Sequence, residues 1–169
     1  MPGTILVKRK HIAWGVLILA LLAILALLPS LRRVAATDTP EVAGERIARA
    51  ILTLDYRHRK AWKETLWPFC NEEGQEFWEY QIDHGFWNAI EESRRITDQV
   101  IVESTDAVEM TLEDGSHTAL VIVEGRVLTH DQAGQEYDEE FYQRLVLAKG
   151  LGGRWLLEML IDPELFQRG

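Results

Sequence analysis

Cysteine is nearly absent from this 169-residue chain, and acidic side chains are missing from its first 37 residues. Cys70 stands alone, which excludes an intramolecular disulfide, a four-thiolate zinc site and a CxxC redox pair. A lone thiol beside Phe69 reads as a small buried hydrophobe, the alternative being a disulfide to another chain. No HExxH, GxSxG, Walker glycine loop or calcium-loop pattern occurs, so no motif implies a catalytic residue, a metal or a cofactor. Five of the 18 basic residues and none of the 27 acidic ones precede Asp38. The remainder is strongly acidic and without a basic stripe, so it repels phosphate backbones and nucleic acid is not an expected partner.

What the first segment has is apolar length. Ile12 to Leu28 is an unbroken apolar run, and continuing to Leu31 gives a segment that at about 1.5 Å per residue just spans the bilayer hydrocarbon. The sequence therefore predicts a transmembrane helix over 12–31 that contacts lipid from Ile12 to Leu31, after a basic tail over 1–11. Trp14 falls near the interface and Pro29 near the helix end, where each is favoured or tolerated. Val34-Ala35-Ala36 loosely imitates a signal-peptide cleavage site. The apolar run is longer than a signal h-region, however, and Arg32-Arg33 separates it from that site, which favours an anchor. The basic N-terminus places residues 1–11 in the cytoplasm and the acidic part outside a bacterial cell membrane, as a single-pass protein.

A linker over 32–39 leads to one domain over 40–162 and a tail over 163–169. Thr39-Pro40-Glu41 is a helix start: N-cap hydroxyl, proline at the first position, acid in the first turn. Val42, Ile47, Ile51 and Leu54 then supply a buried stripe. More helix is expected over Ala61–Leu66, ending at Trp67-Pro68, and a helix or pair of helices over Glu72–Glu92 with a break near Gly85. After residue 94 the period becomes alternating. Strands are expected around Asp114-Gly115 as a hairpin whose two central residues take positive φ, around a turn over Gln132–Gln135, and across Gly150–Gly153, with Gly125 marking a bulge or bend. No internal repeat is visible. Helices first and hairpin-linked strands afterwards predict an α+β domain, about three helices packed on a curved antiparallel sheet of about four strands, together cone-shaped.

The helix-rich half, the long bent strands and the final Gly152–Leu157 segment resemble the nuclear transport factor 2-like superfamily. Leu54-Asp55-Tyr56-Arg57, followed by Trp62, Leu66 and Pro68, resembles the first-helix exit of its membrane-anchored bacterial branch. That branch includes assembly components of conjugation and type IV secretion machines and proteins associated with mammalian-cell-entry lipid importers. The resemblance implies a cone fold and a non-enzymatic assembly or scaffolding role at the envelope, with other membrane proteins or further copies of the chain as partners.

Eight aromatics crowd residues 62–87. Trp62, Trp67, Trp78 and Trp87, with the pair Tyr56-Arg57 before them, are candidate ligand- or partner-binding residues. The plainer reading has the rings filling the gap between helices and sheet, and Arg57 meeting a carboxylate at a helix end. Asp83 and His84 point about 100° apart on a helix, a poor geometry for one site. His117 and His130 have no carboxylate at a spacing that predicts pairing. Two functions follow. The apolar residues on both faces of Thr118–Val123 and Trp155–Ile161 favour assembly, since helices can cover only one face. The alternative is ligand binding or catalysis in an aromatic-lined cone.

Overall fold

The computed structural model describes residues 38–161. The apolar run Ile12–Leu31, the flanking tail and linker, and the segment 162–169 lie outside the described residues. Among the described residues, no helix is long and apolar enough to cross a membrane. Four α-helices and one 3-10 turn precede four strands: α1 (Pro40–Leu52), α2 (Arg59–Leu66), the turn Trp67–Phe69, α3 (Glu72–Asp83), α4 (Phe86–Ser93), β1 (Ile96–Thr111), β2 (His117–His130), β3 (Glu136–Lys149) and β4 (Trp155–Ile161). The domain is α+β, and the break expected near Gly85 divides Glu72–Glu92 into a pair of helices, giving four helices where about three were expected.

Each helix boundary has a local cause. Thr39 is extended and its Oγ1 accepts the Val42 N–H, with Pro40 opening α1. Asn71 Oδ1 accepts the Gly74 N–H at 2.8 Å to start α3, where Glu72 and Glu73 complement the helix dipole. Gly85, at φ 104°, turns the chain into α4. The stripe expected on α1 is corrected at one position: Val42 is 47 % exposed, while Ala43, Ile47, Ala48 and Ile51 are buried. Small residues set this face because helix and sheet nearly touch. A Cβ on Gly44 would overlap Val121 of β2, so the contact side of α1 is centred on Ala43-Gly44 and the bulkier Val42 rotates outward.

The strands form one antiparallel sheet in the order β1-β2-β3-β4. Its three hairpins share one construction, at Leu112–Ser116, Asp131–Gln135 and Gly150–Arg154. In each the first residue's N–H reaches the fifth residue's carbonyl, and the fourth residue's N–H returns to the first residue's carbonyl. The fourth residue is Gly115, Gly134 or Gly153, each near φ 80°, a left-handed position that glycine takes without steric cost. Asp114 is therefore not at positive φ as the dipeptide suggested; the loop is one residue wider, and glycine alone needs that conformation. The turns begin at 112, 131 and 150, an even spacing invisible as sequence similarity because only the glycine is chemically required.

Gly125 does mark an irregularity, but the extra residue belongs to the neighbouring strand. Register shifts in β1 fall between Thr97 and Gln99 and between Val102 and Ser104. At the second, the Ile101 carbonyl presses onto Gly125 so closely that a Cβ could not fit, and Phe141 Cζ would lie 3.0 Å away on the other side. Such bulges bend and twist the strand that carries them.

The helices cover one face of the sheet. Ala119, Val121, Val123 and Val127 of β2, Leu145 and Leu147 of β3, and Trp155, Leu157 and Leu160 of β4 are buried against Ile47, Ile51, Leu66, Trp78 and Trp87. Thr97 ties the layers together. Its Oγ1 donates to the Leu52 carbonyl and accepts the Leu54 N–H, and its own N–H reaches the Leu54 carbonyl at 2.8 Å.

Candidate functional site

The six residues singled out from sequence fall into two groups. Trp62, Trp78 and Trp87 come together in the core, 4 % exposed or less. Trp62 lies at the centre, with ring centroids 5.4 Å from Trp78, 5.5 Å from Trp87 and 5.6 Å from Phe86. Its Nε1 donates to the Ile51 carbonyl at 3.0 Å, which fixes α2 against the end of α1. Edge and tilted contacts at such separations suit the quadrupoles of large rings. Trp78 Nε1, Trp87 Nε1, Thr129 Oγ1 and both amide atoms of Gln143 are buried in the same helix-and-sheet core without a hydrogen-bond partner among the described residues.

Tyr56, Arg57 and Trp67 stand nearer the surface. Lys63 Nζ lies 4.5 Å above the Trp67 ring and also pairs with Glu79 of α3, so Trp67 is half-buried beneath a charged cover. Arg57 donates from Nε and Nη2 to the two oxygens of Asp55, at 2.8 and 2.7 Å, and its guanidinium lies 5.7 Å from the Tyr56 ring. His58 Nδ1 is 2.9 Å from the same carboxylate. These donors, the Arg57 side chain foremost, hold the Asp55 carboxyl well below the usual carboxylate range despite its partial burial. Asp55 is also bridged to Ile96, the first residue of β1. The Asp55–His58 corner thus joins the helical half to the sheet.

Of the remaining titratable groups, Asp131, Tyr137, Arg95 and Glu139 gather at one end of the sheet, the Tyr137 hydroxyl donating to Asp131 at 3.1 Å while the Arg95 guanidinium lies 4.0 Å from the Tyr137 ring and pairs with Glu139; the histidines stand apart. His84 stacks on Tyr80 and its Nδ1 lies 2.7 Å from the Tyr80 carbonyl, away from Asp83. His117 meets Thr111. His130 does have a carboxylate, contrary to the sequence expectation: Nδ1 lies 2.8 Å from Asp98 on the adjacent strand. Asp98 is the extra residue of the first β1 bulge, next to the Thr97–Thr129 pair. Cys70 is buried, its Sγ 3.6 Å from the Leu66 carbonyl, and loss of hydration pushes the thiol up to about 12, as a small inert hydrophobe requires. Among the described residues, no group of three or more His, Cys, Asp or Glu side chains could hold a metal ion.

The feature with the clearest capacity to bind is the sheet face that the helices leave open. Strand register aligns Val108, Leu120, Val146 and Met159 in one row across all four strands. Beside it run Met110, Thr118, Ala148 and Leu156 on one side and Asp106, Ile122, Arg144 and Ile161 on the other. Val108 is 63 % and Met159 44 % exposed. An apolar band spanning a whole sheet exceeds the scattered single hydrophobes of an ordinary surface. Toward the other end the face turns polar, where Arg126 pairs with Glu103 and Asp138. Sequence reasoning named the double-faced strands Thr118–Val123 and Trp155–Ile161. It missed Val108 and Met110 as their continuation, because alternation with glutamate reads as an ordinary half-buried strand.

Fold and open face together define an α+β domain with one sheet surface that, among the described residues, no helix covers. No protein-family model matches the chain, and no curated protein matches it in sequence. Two solved structures are similar to it in fold. The periplasmic domain of DotI aligns with a TM-score of 0.61 at 9 % identity, over 72 % of this chain and 90 % of that one. A periplasmic fragment of TraM aligns with a TM-score of 0.56 at 13 % identity, over 71 % of this chain and 91 % of that one. At these identities the likeness is one of fold.

Proposed function

We propose that the chain is a membrane-anchored assembly domain of a bacterial envelope complex, non-enzymatic, with its C-terminal domain on the extracytoplasmic side. The observation that carries this is the apolar row Val108–Leu120–Val146–Met159 on the uncovered sheet face. The periplasmic character of both similar structures supports the location. A conjugation- or secretion-type complex is the refinement suggested by the sequence resemblance, as is membership of the nuclear transport factor 2-like superfamily.

Burying one such side chain contributes roughly 1.5–3 kcal/mol at most, and these are already partly covered, whereas association costs about 4–15 kcal/mol. The row alone therefore gives weak docking. An Ile12–Leu31 anchor would offset part of that cost by confining the domain to the plane of its partners. Tyr56, Arg57 and Trp67 remain reachable for a further contact, whereas Trp62, Trp78 and Trp87 serve it only by supporting the helices.

The experiment is photo-crosslinking in the native membrane, with the reactive side chain at Leu120 or Met159 and, as control, at Arg59 of α2. Sheet-face positions should yield a defined adduct that Ile122→Glu removes without lowering the melting temperature; recovery of monomer alone would overturn the proposal. A second reading, a small ligand in the cone, draws on the unpartnered Gln143 and tryptophan groups of the core.

A further inference from the structure

The two edges of the sheet are treated differently. On β4 the Trp155 N–H donates to Asp38 at 3.1 Å, and the Leu157 carbonyl accepts the Asn71 N–H at 3.0 Å beside a bridge to Cys70. On β1 only the first third is covered: Ile96 is bridged by Asp55, the Thr97 N–H is bound by Leu54, and the Arg49 guanidinium caps the Val100 carbonyl. From Val102 to Thr111 β1 pairs with β2 alone among the described residues, so alternate amides and carbonyls face outward unpaired. The distal part, from Val108 through the Gly115 turn to His117, is exposed throughout.

Charge along this open edge is of one sign. Glu103 turns onto the sheet face and meets Arg126. Asp106 and Glu109 make no ion pair among the described residues and lie on opposite faces of the strand, Asp106 beside Ile122 and Glu109 beside Ala119. An added strand would therefore pass between two carboxylates, one above and one below. Antiparallel pairing with a second copy about Asp106 would set that carboxylate against its own mate.

We infer that the open edge Val102–Thr111 takes an extended segment of a different protein as a fifth strand, one bearing lysine or arginine on both faces. The backbone supplies the hydrogen bonds, and Asp106 and Glu109 select the charge. This edge adjoins the apolar sheet face through Asp106, Val108 and Met110, but its hydrogen bonds come from the backbone of β1 and not from that face.

The test uses the full-length chain in nanodiscs and two synthetic peptides, one alternating valine with lysine and one alternating valine with glutamate. Amide exchange is followed along β1. The lysine peptide should slow exchange within 102–111 by about tenfold once it is near ten times its Kd, leave β4 unchanged, and lose its effect in Asp106→Lys/Glu109→Lys. The glutamate peptide should do nothing. Absence of protection with the lysine peptide, equal protection by both peptides, or protection that survives the double substitution would overturn the inference. Persistence of the effect in Met159→Glu, at the far border of the apolar row, separates it from docking on the sheet face.

Discussion

Gly74 is the residue whose replacement says most about how the two halves of the domain are held together. It is the third residue of α3, and the space where a side chain would begin is filled by the Leu157 carbonyl of β4. An alanine there must push α3 away from the strand. That separation breaks the bond from Asn71 N–H to Leu157 and the adjoining Cys70 bridge. One lost backbone hydrogen bond costs about 1 kcal/mol, and a buried carbonyl left without a donor costs a further 1–2 kcal/mol or so. The better helix propensity of alanine returns less than about 1 kcal/mol. Gly74→Ala should thus destabilise by about 1–3 kcal/mol, a sizeable part of the roughly 5–15 kcal/mol typical of a domain. Gly134→Ala is the control. It places alanine at φ 81° with nothing near its Cβ, for which strain alone predicts about 1 kcal/mol. Urea unfolding measures both, and amide exchange at the Asn71 N–H reports the local opening. If Gly74→Ala cost no more than Gly134→Ala, the close approach of α3 to β4 would not be a real constraint.

Two further outcomes follow from single side chains. Asp55 has its carboxyl held low in the folded state by Arg57 and His58, so its contribution is complete above the ordinary carboxylate value and is lost as pH falls through the lower, folded one. Because Arg57 faces water, that contribution is about 1 kcal/mol rather than the full value of the shift; Asp55→Asn should remove it at pH 7 and flatten the stability profile below about pH 4. Gln143, with neither amide atom bonded, distinguishes a packed core from one that receives a polar guest. In a core closed to ligand and water Gln143→Leu should raise stability by about 1 kcal/mol in urea titration, whereas a loss of stability would favour the cone-ligand reading.

What could be read from the sequence was whatever local chemistry decides. Thr39-Pro40, Asn71 before two glutamates, Gly85, and the glycines of three turns act on the backbone within a few residues of themselves, so helix starts and hairpins were legible. The change from helical to alternating period gave the layer order. Contacts made across the fold were not. Val42 looked apolar and therefore inward, but the closeness of α1 to Val121 is a tertiary fact that only Gly44 hinted at. Gly125 signalled an irregularity without revealing that Glu103 of the neighbouring strand supplies the extra residue. The Asp98–His130 pair lies 32 residues apart across two strands whose register the sequence does not specify. The aromatic crowding at 62–87 was visible, but its division into a buried trio and a half-exposed Trp67 follows from how α2, α3 and α4 pack on one another.

The unequal finish of the two sheet borders limits how this protein can multiply contacts. Growth of a continuous ribbon from chain to chain needs a donor side and an acceptor side on every unit, and Asp38, Cys70 and Asn71 occupy the Trp155–Leu157 stretch of one of them. Strand addition therefore stops after a single guest, and runaway fibre formation is blocked at the same stroke.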